Sequence, residues 1–288
     1  MTSQIHPSQS TDRPDLRILP LDQLVEHEYN DAQRTAPLAV RLETEGLLKN
    51  PPIAALLDDG DSRFVVLDGA NRSTALASLG YSHILVQVVK YEPPGVTLTT
   101  WHHVITGIGL EEFSKELDDL EGLEFKPLDV LHARAGLARR ELLAYTIRAD
   151  GQVFAARTSA EHASLHEQNR LLNAMVDTYK DQGKLFRATT DDLAEARALY
   201  AGLTGLVIFP NYVPAEVLAL ARDGELLPTG LTRHLIQGRA LRTNYPLSEL
   251  KSSGSLAAKN ARLQEWLKTK MSSKEIRFYG EATYLFDE

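Results

Sequence analysis

The chain has 288 residues, enough for one large domain or two ordinary ones, and its 43% hydrophobic and 24% charged residues are the profile of a soluble globular protein. It contains no cysteine, which excludes disulfides, thiolate nucleophiles, iron–sulfur clusters and cysteine-based zinc sites and fits a reducing, cytoplasmic home. The net charge is −8 with no basic run, which argues against a nucleic-acid partner, and no stretch approaches the ~18 consecutive apolar residues of a membrane span.

The first segment, residues 1–15, lacks an apolar core and is rich in Ser, Thr, Gln and Pro. It reads as a disordered leader rather than a secretion signal. Leu16–Leu19 is a short apolar strand. Pro37–Gly46 has helical spacing and ends at a glycine suited to a C-cap. Ile53–Leu57 and Arg63–Leu67 are strands on either side of the turn-forming Asp58–Ser62, so they read as a hairpin. Asp68-Gly69-Ala70-Asn71-Arg72 follows, then a helix over Ser73–Leu79 that stops at Gly80, then a strand over Ile84–Lys90. Glu92-Pro93-Pro94-Gly95 breaks the pattern and sets a boundary, giving a compact unit over 16–92.

The remainder, 93–288, alternates helices and strands. Helices are expected over Glu111–Leu120, Ala160–Gln182, Asp191–Ala201, Pro214–Asp223 and Leu256–Lys268. Strands are expected over Lys184–Ala188, Gly205–Phe209 and Arg277–Leu285, and over Glu141–Arg148 and Gln152–Arg157 around the hairpin signal Asp150-Gly151. The expectation is an α+β, or mixed α/β, protein of two lobes with its active site in the cleft between them.

The stretch Phe64–Leu79 carries the most chemistry. A buried strand delivers Asp68 to its C-terminal end, and Gly69 lets the backbone turn sharply. The helix that follows has unpaired N–H groups and the positive end of its dipole at its start, an anion site to which Arg72 adds a fork suited to phosphate oxygens. The same spacing also fits a plain strand–turn–helix with Ser73 as N-cap and Arg72 on the surface.

LDGANRSTALASLG resembles the D-G-H-x-R signature that opens a helix against nucleotide phosphates in the ParB/sulfiredoxin superfamily. Upstream, Ile18–Leu24, the pair His27-Glu28 after Glu26, and Gly46 followed by Pro52-Ile53 keep the family's order. The His-Glu pair resembles the branch of free L-serine kinases rather than the DNA-partitioning members. Further on, Phe209-Pro210, the 214–223 helix, Thr232-Arg233-His234, Gly238-Arg239 and Asn244-x-Pro246-Leu247 resemble the same kinases. The pieces span roughly residues 16 to 250.

The resemblance implies a ParB/sulfiredoxin-like nucleotide-binding domain over 16–92 and a substrate-binding lobe over 93–288. It implies transfer of a phosphoryl group from ADP or ATP, with Mg²⁺, to the hydroxyl of free L-serine. Glu28 would be the catalytic base, because a serine hydroxyl is a poor nucleophile without one. Gly69, Ala70, Asn71, Arg72, Ser73 and Thr74 would hold phosphates. Asp68 would contact Mg²⁺ or orient the hydroxyl. Trp101, Thr232, Arg233 and His234 would hold the amino acid, with Arg233 or His234 suited to its carboxylate. The family has histidine where this chain has Ala70, so one phosphate donor is lost and the donor nucleotide is left open. Two alternatives remain: a ParB-like nucleotide-sensing regulator that binds DNA, and the same chemistry on another small hydroxy amino acid.

Several residues also have plain readings. Glu28 fits an exposed helix-start carboxylate, and Trp101 fits a core position. His102 and His103 are neighbours, so on a strand only one of them can reach a given face. His162 and His166 share a helix face but lack the H-E-x-x-H pattern and read as surface residues. A P-loop, a dinucleotide fingerprint, protein-kinase motifs and a G-x-S-x-G elbow are all absent.

Overall fold

The structure, a computed structural model, describes residues 13–279 except 31, 59, 61, 161 and 162. Most of the leader, His162 and residues 280–285 of the expected closing strand therefore lie outside the described residues. Residues 277–279 are not in a strand.

The fold is α+β. A five-stranded sheet runs in the order Asp15–Pro20, His83–Val89, Ile53–Leu56, Phe64–Asp68, Leu24–Val25. Ile53–Leu56 and Phe64–Asp68 pair antiparallel, as the hairpin expectation has it. Side chains alternate across a strand, and both faces of this sheet are covered. Phe64, Ala54, Ile84 and Val86 point into one core with Leu16, Ile18, Leu48 and Leu76. Val65, Leu67, Ile53 and Ala55 point the other way and meet Val96 and Ala221, which belong to the rest of the chain. That second face joins the two halves of the molecule.

The other half is built on a six-stranded antiparallel sheet, in the order Lys184–Ala188, His102–Thr106, Leu203–Ile208, Ala144–Arg148, Val153–Thr158, Leu123–Pro127. The helices Leu110–Asp118, Leu165–Asp177 and Pro214–Arg222 supply Phe113, Leu172 and Val217 to the core on one of its faces. Val130–Ala138 and Leu193–Leu199 supply Ala133 and Ala196 on the other. A two-stranded ribbon of Val96–Thr100 and Thr232–Ile236 runs along the joint.

The last described segment returns to the first sheet. Tyr245–Pro246 pairs with Leu47–Leu48, and Leu263 of the Leu256–Ser272 helix is buried among Leu16, Ile18 and Leu76. Asn260 accepts from the Ile18 N–H and donates to the Ile18 carbonyl, both at 2.9 Å, which satisfies the backbone of the edge strand. The core of the first unit is thus discontinuous in sequence, and residues 245–267 pack with it rather than with the lobe that sequence assigns them to.

Two helix starts differ from expectation in ways that matter for the site. The helix expected from Ser73 begins at Ala70, because Gly69 takes the left-handed conformation (φ 93°) and turns the chain three residues sooner. The helix expected from Pro37 begins at Ala32, with Pro37 inside it. The long helix expected over 160–182 is confined to Leu165–Asp177, where the Ser164 side chain caps its first turn.

Candidate active site

Glu28 lies where the halves meet. Its backbone forms a parallel bridge with Leu227, sealed by Leu227 N–H to the His27 carbonyl at 2.8 Å and Tyr29 N–H to the Leu227 carbonyl at 3.0 Å. Its carboxylate crosses to the other half. Oε1 accepts from the Gly230 N–H; Oε2 accepts from the Thr232 N–H at 2.9 Å and from the Thr232 hydroxyl at 2.6 Å. The side chain is only 14% exposed, so the exposed reading of Glu28 does not hold. A cation stands beside it: the Arg187 guanidinium is 3.9 Å from Oε1.

Glu28 opens into a cleft of 1150 Å³. Asp68, Gly69, Ala70, Asn71 and Arg72 line it from the first half, and Arg187 and Thr232 from the second. Arg41, Lys49 and Arg242 add further positive charge to its lining.

The Asp68–Arg72 turn forms as the sequence suggests, but its arginine is committed elsewhere. Arg72 donates through Nη1 to the Asn50 carbonyl at 2.5 Å and through Nη2 to Asp68 Oδ2 at 3.0 Å. Burial pulls its pKa down to about 10, still charged at neutral pH. Arg239 also contacts Asp68 Oδ2. Arg72 therefore locks the loop at 50–51 and fixes Asp68, instead of offering a free fork. The anion-binding feature that remains is the helix start. Among the described residues no side chain caps it at Gly69, and the first N–H groups turned back are those of Arg72 and Ser73, both to the Gly69 carbonyl. The N–H groups of Ala70 and Asn71 precede that turn, at the cleft.

Ser73 and Thr74 are not among the residues lining the cleft. With the helix starting at Ala70 they are already its fourth and fifth residues. Ser73 is buried, and its hydroxyl has no partner among the described residues. The Thr74 hydroxyl has two acceptors at 3.0 Å for its one proton, Glu26 and the Ala70 carbonyl.

Trp101, Arg233 and His234 also lie outside the cleft lining. Arg233 stacks on Trp101, its guanidinium carbon 4.6 Å from the ring centroid. His234 pairs through Nε2 with the Tyr91 hydroxyl at 2.7 Å and meets the His27 ring edge-on. Alternation along the Thr232–Ile236 strand explains part of this. Thr232 faces Glu28, so Arg233 must face the other way. The cation beside Glu28 is Arg187, from a strand 45 residues earlier than Thr232, and nothing in its local sequence announces it. His166 is exposed and hydrogen-bonded to Glu225 at 2.8 Å, in keeping with a surface residue.

Five imidazoles are driven toward neutrality, chiefly by burial, the half-buried His83 among them. His103 and His234 fall to about 3, His102 to about 4, and His27 falls below its ordinary value against the raising effects of Glu28 and the Val66 carbonyl. Each group binds a proton in the unfolded chain below the ordinary value of 6.5 but not in the fold until lower pH. The unfolded state then binds more protons, so stability falls as pH drops. The melting temperature is expected to decline steadily between pH 6.5 and about 3, the interval those shifts define, as read by circular dichroism.

No protein-family model matches the chain. Curated proteins and solved structures do. The chain is 23% identical over 280 residues to the ATP-dependent L-serine kinase SbnI of Staphylococcus aureus, covering 95% of this chain and 97% of that one. A C-terminally truncated SbnI structure superposes with a TM-score of 0.68 at 19% identity, over 90% of this chain and 97% of that chain. The chain is 26% identical over 239 residues to an ATP-dependent L-serine kinase of Staphylothermus marinus, covering 81% of this chain and 90% of that one. A free serine kinase solved in complex with AMP gives a TM-score of 0.67 at 20% identity, over 85% of this chain and 98% of that one. The shared fold therefore extends over both halves and the cleft between them.

Proposed function

We propose that this protein is a nucleotide-dependent kinase that phosphorylates the hydroxyl of free L-serine to give O-phospho-L-serine. The observation that carries the reading is the position of Glu28. It is a shielded carboxylate at the seam of the two halves, facing a cleft whose far wall is an uncapped helix start set among cations. The relatives' names supply the substrates, and they make ATP the first donor to test and ADP the second.

In this reading the acceptor hydroxyl approaches Glu28 Oε1, which among the described residues accepts a hydrogen bond from Gly230 alone. Glu28 takes the hydroxyl proton as the oxygen attacks the terminal phosphorus. The serine carboxylate pairs with Arg187, the cation nearest the base. The Ala70 and Asn71 N–H groups hold phosphate oxygens, and Arg41, Lys49 and Arg242 neutralise the remaining charge. Ala70 in place of the family's histidine leaves that task to backbone donors.

Mg²⁺ fits the donor set. Among the described residues no three carboxylates or histidines converge as a dedicated cage. Mg²⁺ in phosphoryl transfer typically uses one or two carboxylates together with substrate phosphates. Both arginine contacts to Asp68 fall on Oδ2, so Oδ1 is the oxygen it would offer. The ion would neutralise charge on the phosphates. We further infer that the first unit is ParB/sulfiredoxin-like, supported by the strand–Asp-Gly-x-Asn-Arg–helix turn at the cleft. A cytoplasmic home is supported by the absence of cysteine, and no helix among the described residues is long and apolar enough to cross a membrane.

The test is phosphorus NMR with Mg²⁺, ATP or ADP, and a panel of free amino acids. A phosphomonoester signal that appears only with L-serine is expected; nucleotide binding without any acceptor being phosphorylated would overturn the reading. In the same assay Arg187→Ala should raise the KM for serine by about 10–100-fold, the loss of one charge-assisted pair, with a smaller effect on kcat.

A further inference from the structure

His27 is buried, 6% exposed, and both of its ring nitrogens are engaged. Nδ1 lies 2.7 Å from the Val66 carbonyl, and Nε2 lies 2.8 Å from the Thr232 hydroxyl oxygen. A carbonyl only accepts, so Nδ1 carries a proton and donates it. The partner of Nε2 is then decisive. The Thr232 hydroxyl has one proton to give and two acceptors within reach: Nε2 of His27 and Oε2 of Glu28, the latter at 2.6 Å.

Donor and acceptor counting leaves a deficit of one proton. With Glu28 ionised and His27 neutral, the Thr232 proton satisfies one neighbour, and at the other two lone pairs face each other at hydrogen-bond distance. One added proton completes the chain in either of two ways. If it sits on Glu28, the carboxyl donates to Thr232, and Thr232 donates to Nε2. If it sits on Nε2, His27 donates to Thr232, and Thr232 donates to Glu28. The two arrangements interconvert by moving two protons along the same line, with no heavy atom displaced.

We propose that His27 is a positioning and proton-holding residue for Glu28, acting through the Thr232 hydroxyl, so that the proton Glu28 removes from the acceptor is shared along the Glu28–Thr232–His27 chain. The step balances. Glu28 gains the hydroxyl proton as the oxygen–phosphorus bond forms and the donor's terminal phosphate bond breaks. That proton arrives on Oε1, and a half-turn of the carboxyl about its Cγ–Cδ bond carries it to the Thr232 side; Glu28 then passes it to the Thr232 oxygen as Thr232 gives its own to Nε2, which regenerates the carboxylate beside an imidazolium. Reversal of the relay after product release, with loss of the proton to solvent through the open cleft, resets the site.

The surroundings suit a transient proton rather than a permanent one. Burial lowers the pKa of His27, while Glu28, the Val66 carbonyl and Glu26 oppose that effect. His234, whose ring lies 5.3 Å away edge-on, is itself held neutral by burial, and its Nε2 is occupied by the Tyr91 hydroxyl. Arg187, beyond Glu28 on the cleft side, is the nearest fixed cation to the carboxylate. Thr232 thus has a role in this chain that differs from holding the amino acid.

The proposal rests on the kinase reading for its chemistry, but its test does not. Nitrogen-15 NMR of histidine-labelled full-length protein, with His27→Asn used for assignment, follows the His27 Nε2 signal through a pH titration. The expected result is a midpoint that moves in Glu28→Gln and in Thr232→Val but stays near wild type in Thr232→Ser. A midpoint unchanged in all three variants would overturn the relay. Kinetics supply a second arm: Thr232→Val should lower kcat by about 10-fold or more while KM for serine stays within about 2-fold, and Thr232→Ser should retain turnover. A Thr232→Val variant with raised KM and unaltered kcat would make Thr232 a substrate contact and overturn the relay. Coupled titration in a protein that phosphorylates no acceptor would sink the kinase reading and leave the proton chain standing.

Discussion

Replacing Glu28 by glutamine is expected to lower kcat for serine phosphorylation by about 10²–10⁴-fold, the contribution of a well-placed general base. The amide has nearly the shape of the carboxylate but cannot accept the acceptor's proton. It also disturbs the local network. Gly230 N–H, Thr232 N–H and the Thr232 hydroxyl all point at the two oxygens, and an NH₂ group in place of one oxygen must face at least one donor. A stability loss of about 1–2 kcal/mol should accompany the kinetic loss. Nucleotide affinity should be unchanged, because the cradle at Ala70 and Asn71 is a separate part of the cleft. Phosphorus NMR progress curves, thermal unfolding and a nucleotide titration read these three quantities. A wild-type rate in the variant would remove Glu28 as the base.

Gly69→Ala should lower both stability and nucleotide affinity. Gly69 sits at φ 93°, where residues other than glycine are strained by roughly 1–2 kcal/mol. A Cβ built there meets Arg72 Nη2 at 2.8 Å, its guanidinium carbon at 2.9 Å and the Pro52 Cα at 3.0 Å. Backbone at Pro52 has little room to retreat, so the guanidinium must move. That movement loosens its bonds to the Asn50 carbonyl and to Asp68 together. The expected outcome is a loss of about 1–3 kcal/mol in unfolding free energy. Nucleotide Kd should rise about tenfold, the equivalent of one charge-assisted contact. Chemical denaturation and a nucleotide titration would show both, and an unperturbed variant would mean that Arg72 does not hold the turn.

Local features were legible in the sequence where the signal was local. The hairpin around Asp150-Gly151, the strand Lys184–Ala188 and the helix starting at Pro214 follow from turn chemistry, alternation and a proline at the first helical position. The sequence marks Gly69 as a turn residue, yet its pattern points to a helix start at Ser73. The polar run Asn71-Arg72-Ser73-Thr74 resembles a cap, and only the left-handed φ of Gly69 shows that the helix has already begun.

What the sequence withheld is long-range. Thr232 and Glu28 are 204 residues apart, and Arg187 reaches the same carboxylate from a strand in the second sheet. Arg72 has the residue type that suits phosphate, but its buried surroundings and the Asn50 carbonyl decide its use, and neither can be read from a motif. The ribbon strands Val96–Thr100 and Thr232–Ile236 are only five residues each. They become strands by pairing with each other across the joint.

The return of residues 245–267 to the first sheet has a consequence for the order in which the molecule is made. Leu16, Ile18 and Ile84 leave the ribosome early, but Leu263, which covers them, is synthesised some 180 residues after Ile84. The six-stranded half draws its core from residues 104–231 and can close as soon as they emerge. The half that carries the Asp68–Arg72 turn is therefore begun first and finished last, and its apolar face stays uncovered through most of translation.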